Sequence, residues 1–306
     1  MVKVESGAYG AAFDDIIFIM RIAIISGGKN KGGSSIVSAD NLFLELEGHT
    51  SKIFNIKINH SNEWVSSGIK ITPHSSLIHV DYIIDLTHDA HDEKTKKFIK
   101  SLGLRHLLDE EYDHNFVRGV ARQLNIDLPR HHTIEKGANL LETLHEKWRQ
   151  VHVPVYVRGI NNKVLTVNTS TPSELYEHVL HIHKNNFDVI LDEQVRGKKY
   201  TIVSISKFRG ESVYLTPIIE NIGLHRKSYV TAKVILDKDK NTLMEAALKL
   251  HESIGSKLLK QDFVITKKGP VLVNVETRPK YDNDSSFYNA LNILGINFLE
   301  ILKSFK

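Results

Sequence analysis

Lys260-Gln-Asp-Phe-Val-Ile-Thr-Lys-Lys-Gly-Pro-Val-Leu-Val-Asn-Val-Glu276 reads as two β-strands joined by a tight turn. Lys267-Lys268-Gly269 is a three-residue hairpin loop in this reading, with glycine supplying the left-handed position. Thr266 then opposes Pro270, and Asp262 falls opposite Asn274. Side chains alternate between faces with period two. Lys260, Asp262, Asn274 and Glu276 therefore share one face, and Phe263, Ile265, Val271, Val273 and Val275 share the other. The second face is apolar and suits packing on the preceding helix. Two carboxylates and an amide on the first face form a hard-oxygen cluster, the kind that holds magnesium with help from waters and phosphate oxygens. The alternative is a half-exposed antiparallel sheet whose outer face is simply polar.

Working outward, Asn241 to Ile254 has helical periodicity and ends at Gly255. Before it lie strands at Val189–Val195, Tyr200–Ser206, Ser212–Pro217 and Ala232–Leu236, with a turn at Arg196-Gly197. Further upstream, Val153–Arg158 and Lys163–Val167 read as a pair of strands, and Ser173 as the N-cap of a helix running to His183. A helix from Asp113 to Leu124 leads into the loop Asn125-Ile-Asp-Leu-Pro129. The first third alternates: strand Arg21–Ser26, helix Ser38–Gly48, strand Val80–Asp85 and helix Asp92–Leu102, stopped by Gly103. Alternation at this spacing implies a parallel sheet covered by helices. The expected units are an extension over 1–19, an α/β domain over 20–110, a central α+β subdomain over 111–186 and a C-terminal subdomain over 187–306.

Composition removes several classes of function. With 306 residues, 41% hydrophobic and 25% charged, the chain has the make-up of an ordinary globular protein large enough for two or three cores. A net charge of +4 with scattered pairs such as Lys96-Lys97 and Lys198-Lys199 argues against a nucleic-acid partner. Cysteine is absent, so disulfides, thiolate metal sites and a cysteine nucleophile are excluded; a reducing cytoplasm is compatible with this. The apolar run Ile16–Met20 follows Asp14-Asp15 and is cut by Arg21. It falls short of the ~18 uncharged residues a membrane span needs, and no small-residue cleavage site follows it.

The stretch Asn274-Val-Glu-Thr-Arg-Pro279, continuing through Ser285 to Leu294-Gly-Ile-Asn-Phe298, resembles the C-terminal signature of the D-alanine–D-alanine ligases, members of the ATP-grasp superfamily. That signature reads Glu-x-Asn-Thr-x-Pro-Gly, then a serine, then a Gly-Ile-x-Phe helix. Upstream, Asp192-Glu-Gln-Val-Arg-Gly197 looks like the family's interdomain hinge, Val153–Arg158 like its phosphate-lysine strand, and Asp113-His114 like the pair opening its central domain. The resemblance covers residues 21 to 306 and is most specific at the C-terminal end. It implies an ATP-grasp fold with an N-terminal parallel α/β domain. It also implies an ATP- and Mg2+- (or Mn2+-) dependent carboxylate–amine ligation of small amino acids through an acyl phosphate, as in peptidoglycan biosynthesis, by a cytoplasmic homodimer.

Carried over by motif, Asp262, Asn274 and Glu276 would hold the metals, with the family's Glu-x-Asn inverted to Asn-x-Glu. Lys260 falls where an arginine stabilises the oxyanion; lysine keeps its charge but loses its planar fork. Ser285 matches the serine that holds the second substrate's carboxylate, and the backbone N–H of Lys280 replaces that of a glycine. Asp192, Glu193, Gln194 and Val195 would surround adenine, while His114 and Arg158 stand at two phosphate lysines. Lys199 occupies the place of a ribose-binding glutamate, yet a lysine only donates.

Other departures are marked. The family's glycine-rich phosphate loop is cut to Gly159-Ile-Asn-Asn-Lys163, and the loop over the substrates to about Glu220–Tyr229, with Arg226 and Lys227. The acid for the first substrate's ammonium is missing around Lys29–Ser34, which argues against D-alanine itself. Two readings compete: a ligase of altered substrate, or a relative that keeps the fold as a nucleotide-binding or interaction protein.

Several other motifs fail. In Gly27-Gly-Lys-Asn-Lys-Gly-Gly-Ser-Ser35, Gly33 follows Gly32 where a P-loop needs lysine, and no Gly-x-Gly-x-x-Gly appears. Among 17 histidines, His88/His91, His131-His132 and His181/His183 are the close sets, and none has HExxH spacing. No Gly-x-Ser-x-Gly elbow supports a serine nucleophile.

Overall fold

The computed structural model describes residues 21–27, 33–47, 52–59, 61, 63–87, 93–109, 112–137, 139–150, 154–159, 167–184, 188–222, 229–231, 235–283 and 285–305. The 1–19 extension, the shortened phosphate loop beyond Gly159, Lys29–Lys31, His88 and His91, and Arg226-Lys227 lie outside these residues.

The N-terminal unit comprises β1 (Arg21–Gly27), α1 (Gly33–Leu46), β2 (Lys52–Ile58), β3 (Trp64–Ser66), β4 (Ile69–Ile71), α2 (Pro73–Leu77), β5 (Tyr82–Asp85), α3 (Glu93–Ser101) and β6 (Arg105–His106). Its sheet runs β4-β3-β2-β1-β5-β6. Strands β2 and β5 flank β1 in parallel, as the alternation of elements requires. Both faces of β1 are buried: Ile22 and Ile24 pack with Leu42 and Leu46, while Ala23 and Ile25 pack with Ile56, Trp64 and Leu77. A continuous apolar run is the signature of such a strand.

The central unit holds α4 (His114–Gln123), β7 (His131–Ile134), α5 (Leu140–Gln150), β8 (Val155–Gly159), β9 (Val167–Thr169), α6 (Pro172–Lys184) and β10 (Val189–Glu193). Asp113 caps α4 by accepting from the Asn115 and Phe116 N–H groups. Ser173 is not the N-cap of α6, because the helix already begins at Pro172, a residue suited to its first turn. The Thr171 hydroxyl accepts from the Glu174 N–H instead. The sheet order is β7-β10-β8-β9. Strand β10, read from the sequence as opening the C-terminal subdomain, is thus hydrogen-bonded on both sides within the central sheet.

The C-terminal unit adds β11 (Lys198–Ser206), β12 (Val213–Leu215), β13 (Ile219–Asn221), β14 (Tyr229–Thr231), α7 (Asp237–Ile254), β15 (Leu258–Thr266), β16 (Gly269–Glu276), α8 (Ser286–Ile293) and α9 (Phe298–Ser304). Its sheet runs β14-β13-β11-β15-β16, with β12 paired to β11. Of the strand expected at Ala232–Leu236, residues 232–234 lie outside the described residues, and Leu236 is the N-cap of α7. Helix α7 buries Leu243, Ala247, Leu250 and Ile254 against this sheet and ends on Gly255 at φ 69°. Each such leucine or isoleucine contributes about 1.5–3 kcal/mol.

The β15–β16 hairpin corrects one expectation while preserving another. Its turn has two residues, with Thr266 opposite Gly269 rather than Pro270. The Thr266 hydroxyl tightens it by donating to the Gly269 carbonyl and accepting from the Lys268 N–H. The extra residue appears as a bulge at Val273, so Asp262 still faces Asn274 and Lys260 faces Glu276. Leu272, not Val271 or Val273, therefore joins Phe263, Ile265 and Val275 in the core beneath α7.

The outer units are locked together. Tyr281 donates its hydroxyl to Glu45, whose other oxygen accepts from the Phe298 N–H at 2.6 Å. Phe287 and Phe298 extend the β1–α1 core. Among the described residues, no helix is long and apolar enough to cross a membrane.

Candidate functional site

The segment from Glu193 to Lys198 carries the chain from the central sheet into the C-terminal one. Gly197 makes the crossing feasible: a Cβ there would meet the Ile265 carbonyl oxygen at 2.2 Å. Beside this hinge is a cavity of about 480 Å³. Val264, Val273, Tyr156 and Pro129 give it apolar lining. Arg158, Asp192, Glu193, Gln194, Val195, Lys199 and Asn274 complete the lining. Seven of the residues singled out in the sequence thus line one cleft. The bulge explains the presence of Val273, which strict alternation assigns to the opposite face.

Two ionic clusters flank the cleft. In the first, Asp192 accepts from Arg158 Nε at 3.0 Å and Nη2 at 2.7 Å. Its other oxygen meets His131 Nδ1 at 2.9 Å and Arg118 Nη1 at 3.7 Å. Arg158 Nη2 also lies 2.6 Å from His114 Nε2. Burial works against an ionised Asp192, but the His131 bond and Arg158 outweigh it, so its pKa falls below the ordinary carboxylate value. His114 is pushed down to about 4 by burial first, then by Arg158, and stays neutral. The two residues expected to neutralise phosphate are therefore already engaged with Asp192 and each other. His114, His131 and Asp192 are also close enough to share a metal ion. The Arg158 guanidinium takes that role, with donors on Asp192 and a contact to His114.

In the second cluster, Lys260 Nζ lies 3.0 Å from Asp262 Oδ2 and 2.7 Å from Glu276 Oε1. Both carboxylates thus touch one cation. Lys199 Nζ is 3.3 Å from Asp262 Oδ2. Asn274 Nδ2 donates to the same oxygen at 3.3 Å and to Glu276 at 2.8 Å, and the Thr201 hydroxyl donates to Asp262 Oδ1 at 2.7 Å. Burial alone would lower the Lys260 pKa; Asp262 and Glu276 outweigh it and hold it above its ordinary value. Asp262, 1% exposed, is raised by burial and then drawn below its ordinary value by Lys260 and Lys199.

The metal implied by the resemblance can be tested against these contacts. Asp262 has both oxygens engaged, and two ammonium charges balance the two carboxylate charges. A divalent ion binds where several oxygens present uncompensated negative charge. The donor set Asp262, Asn274 and Glu276 does not fit one in this arrangement.

The remaining sequence candidates lie apart from the cavity lining. Ser285 is the N-cap of α8 and accepts from the Tyr288 N–H at 3.0 Å. Lys280 is exposed in the loop after β16. Arg118 and His131, not selected as site residues, are the ones sequence reasoning missed. His114 and Arg118 are four apart on one helix, so they share a face; that spacing was the available signal.

A second buried histidine has the same depressed titration as His114. His251, on α7, lies 2.8 Å from both Ser204 Oγ and Ser206 Oγ, and burial pushes its pKa down to about 4. A histidine with an ordinary value of 6.5 protonates in the unfolded chain first. Stability is then complete above about pH 6.5 and lost as pH falls towards 4, by on the order of 3 kcal/mol per histidine. Urea unfolding between pH 7.5 and 4.5 is expected to show this slope, and His251→Gln to reduce it. A flat profile would contradict the buried neutral state.

Three linked units, a hinge crossing between two antiparallel sheets and a cleft at that hinge define the ATP-grasp fold, in the arrangement of the D-alanine–D-alanine ligases. Solved structures bear this out at low identity. D-alanyl-alanine synthetase A from Vibrio cholerae superposes with a TM-score of 0.78 at 14% identity, over 94% of this chain and 97% of that one. The VanG D-Ala:D-Ser ligase from Enterococcus faecalis gives 0.70 at 15%, over 94% and 98%. The D-alanine–D-alanine ligase from Bacillus anthracis complexed with ATP gives 0.67 at 17%, over 94% and 95%. No protein-family model and no curated protein sequence matches this chain.

Proposed function

We propose that the hinge cleft binds an adenine nucleotide and that the chain works as a nucleotide-binding relative of the carboxylate–amine ligases. The observation that carries this reading is the cavity itself, whose lining brings the apolar Val264 and Val273 together with the Glu193–Val195 hinge. A flat base suits the space between them, and Lys199, partly exposed on the same lining, is placed for the phosphates. The ATP-bound ligase of the same fold supports a nucleotide as the ligand. Calorimetric titration of the full chain with ADP is expected to give saturable binding. Val273→Trp, which fills the cavity, should weaken it by about tenfold or more. Binding unaffected by that substitution would place the ligand elsewhere.

One observation favours a second reading, ATP-dependent ligation through an acyl phosphate. Lys260 shares a face with Asp262 and Glu276, and the Ser285 O–H is left to donate to a substrate carboxylate. Asp262, Asn274 and Glu276 would then have to exchange their lysines for Mg2+ or Mn2+, and small amino acids would be the substrates. ADP release with any member of a panel of amino acids, in the presence of magnesium, would establish this reading. Nucleotide binding without release supports the first.

A further inference from the structure

We propose that this cleft takes its nucleotide without a divalent ion, because the Lys260 ammonium occupies the position that a bridging cation would hold between Asp262 and Glu276. The proposal rests on the nucleotide reading above. Three features support it. Lys260 is itself buried, at 5% exposure, and both of its carboxylate partners lie within 3.0 Å, so it is a fixed part of the hairpin. Asp262 also keeps Thr201 and Asn274 as donors, so each of its two oxygens has a partner besides Lys199. Lys199 belongs to both the cluster and the cavity wall, and its side chain is 43% exposed. When a phosphate enters, that ammonium can turn from Asp262 to the phosphate, leaving Asp262 bonded to Lys260, Thr201 and Asn274. Charge neutralisation that a metal would bring with the ligand is thus built into β11 and β15.

Two measurements on the full chain separate the possibilities. Titration with Mn2+ alone, followed by electron paramagnetic resonance, is expected to show no saturable site in the native protein. Lys199→Ala leaves Lys260 between the two carboxylates and is expected to show none either. ADP titrated in EDTA should bind as tightly as in excess magnesium, within about twofold. Saturable Mn2+ binding by the native chain that Glu276→Gln abolishes would overturn the proposal, as would ADP affinity rising about tenfold with magnesium. Absence of ADP binding under both conditions would instead remove the nucleotide reading.

Discussion

Replacing Lys260 with methionine is expected to lower the unfolding free energy by about 3–5 kcal/mol, the usual cost of removing one partner from a buried ion pair. Asp262 is the reason. It is almost fully enclosed, and Lys260 is its buried counter-ion. Without that ammonium, Asp262 retains Lys199, whose side chain is 43% exposed and screened by solvent. Glu276 simultaneously loses its 2.7 Å partner. Lys260→Met combined with Asp262→Asn should recover a large part of the loss, since the double change removes opposite charges together. Equilibrium urea unfolding of the two single variants and the double variant measures this coupling. A loss below about 1 kcal/mol for Lys260→Met would mean that the ammonium does not sit between the carboxylates.

Asp192→Asn is expected to cost a similar amount, about 3–5 kcal/mol. One carboxylate there offsets two guanidinium groups, Arg158 and Arg118, and holds His131. Asparagine keeps the shape but not the charge, leaving Arg158 and Arg118 facing each other across a site with little access to water. Pairing Asp192→Asn with Arg158→Gln should restore much of the stability, and Glu193→Gln, at the cavity's edge, should change it little. Thermal unfolding of this set tests the assignment. Equal losses at Asp192 and Glu193 would contradict a central role for Asp192.

The elements legible in the sequence are those whose local pattern agrees with their surroundings. The β-branched run of β1, the helical stretch opening at Asp113, and α7 with Gly255 each carry their signal within a few residues. Strand β2 was missed because Asn55 and Lys57 give it mixed polarity, although both take part in side-chain pairing with Asp40 on α1. The hairpin was legible by chemistry but not by turn length. An error of one residue at the turn is cancelled by the bulge at Val273, and neither feature has a distinctive residue. The face that gathers Lys260, Asp262, Asn274 and Glu276 was foreseeable from alternation. Its charge balance was not, because Lys199 enters from a different strand. Asp192 was marked as a hinge residue, yet its partners come from β8, α4 and β7, three segments that only the folded chain brings together.

The nucleotide cleft is tested most directly by photolabelling the full chain with an azido-adenine nucleotide and mapping the modified peptides by mass spectrometry. Labelling is predicted on the hinge around Glu193–Val195 or on Tyr156, Val264 and Val273, and excess ADP should suppress it. Specific labelling confined to residues outside that lining, or labelling that ADP does not suppress, would contradict a nucleotide site at the hinge.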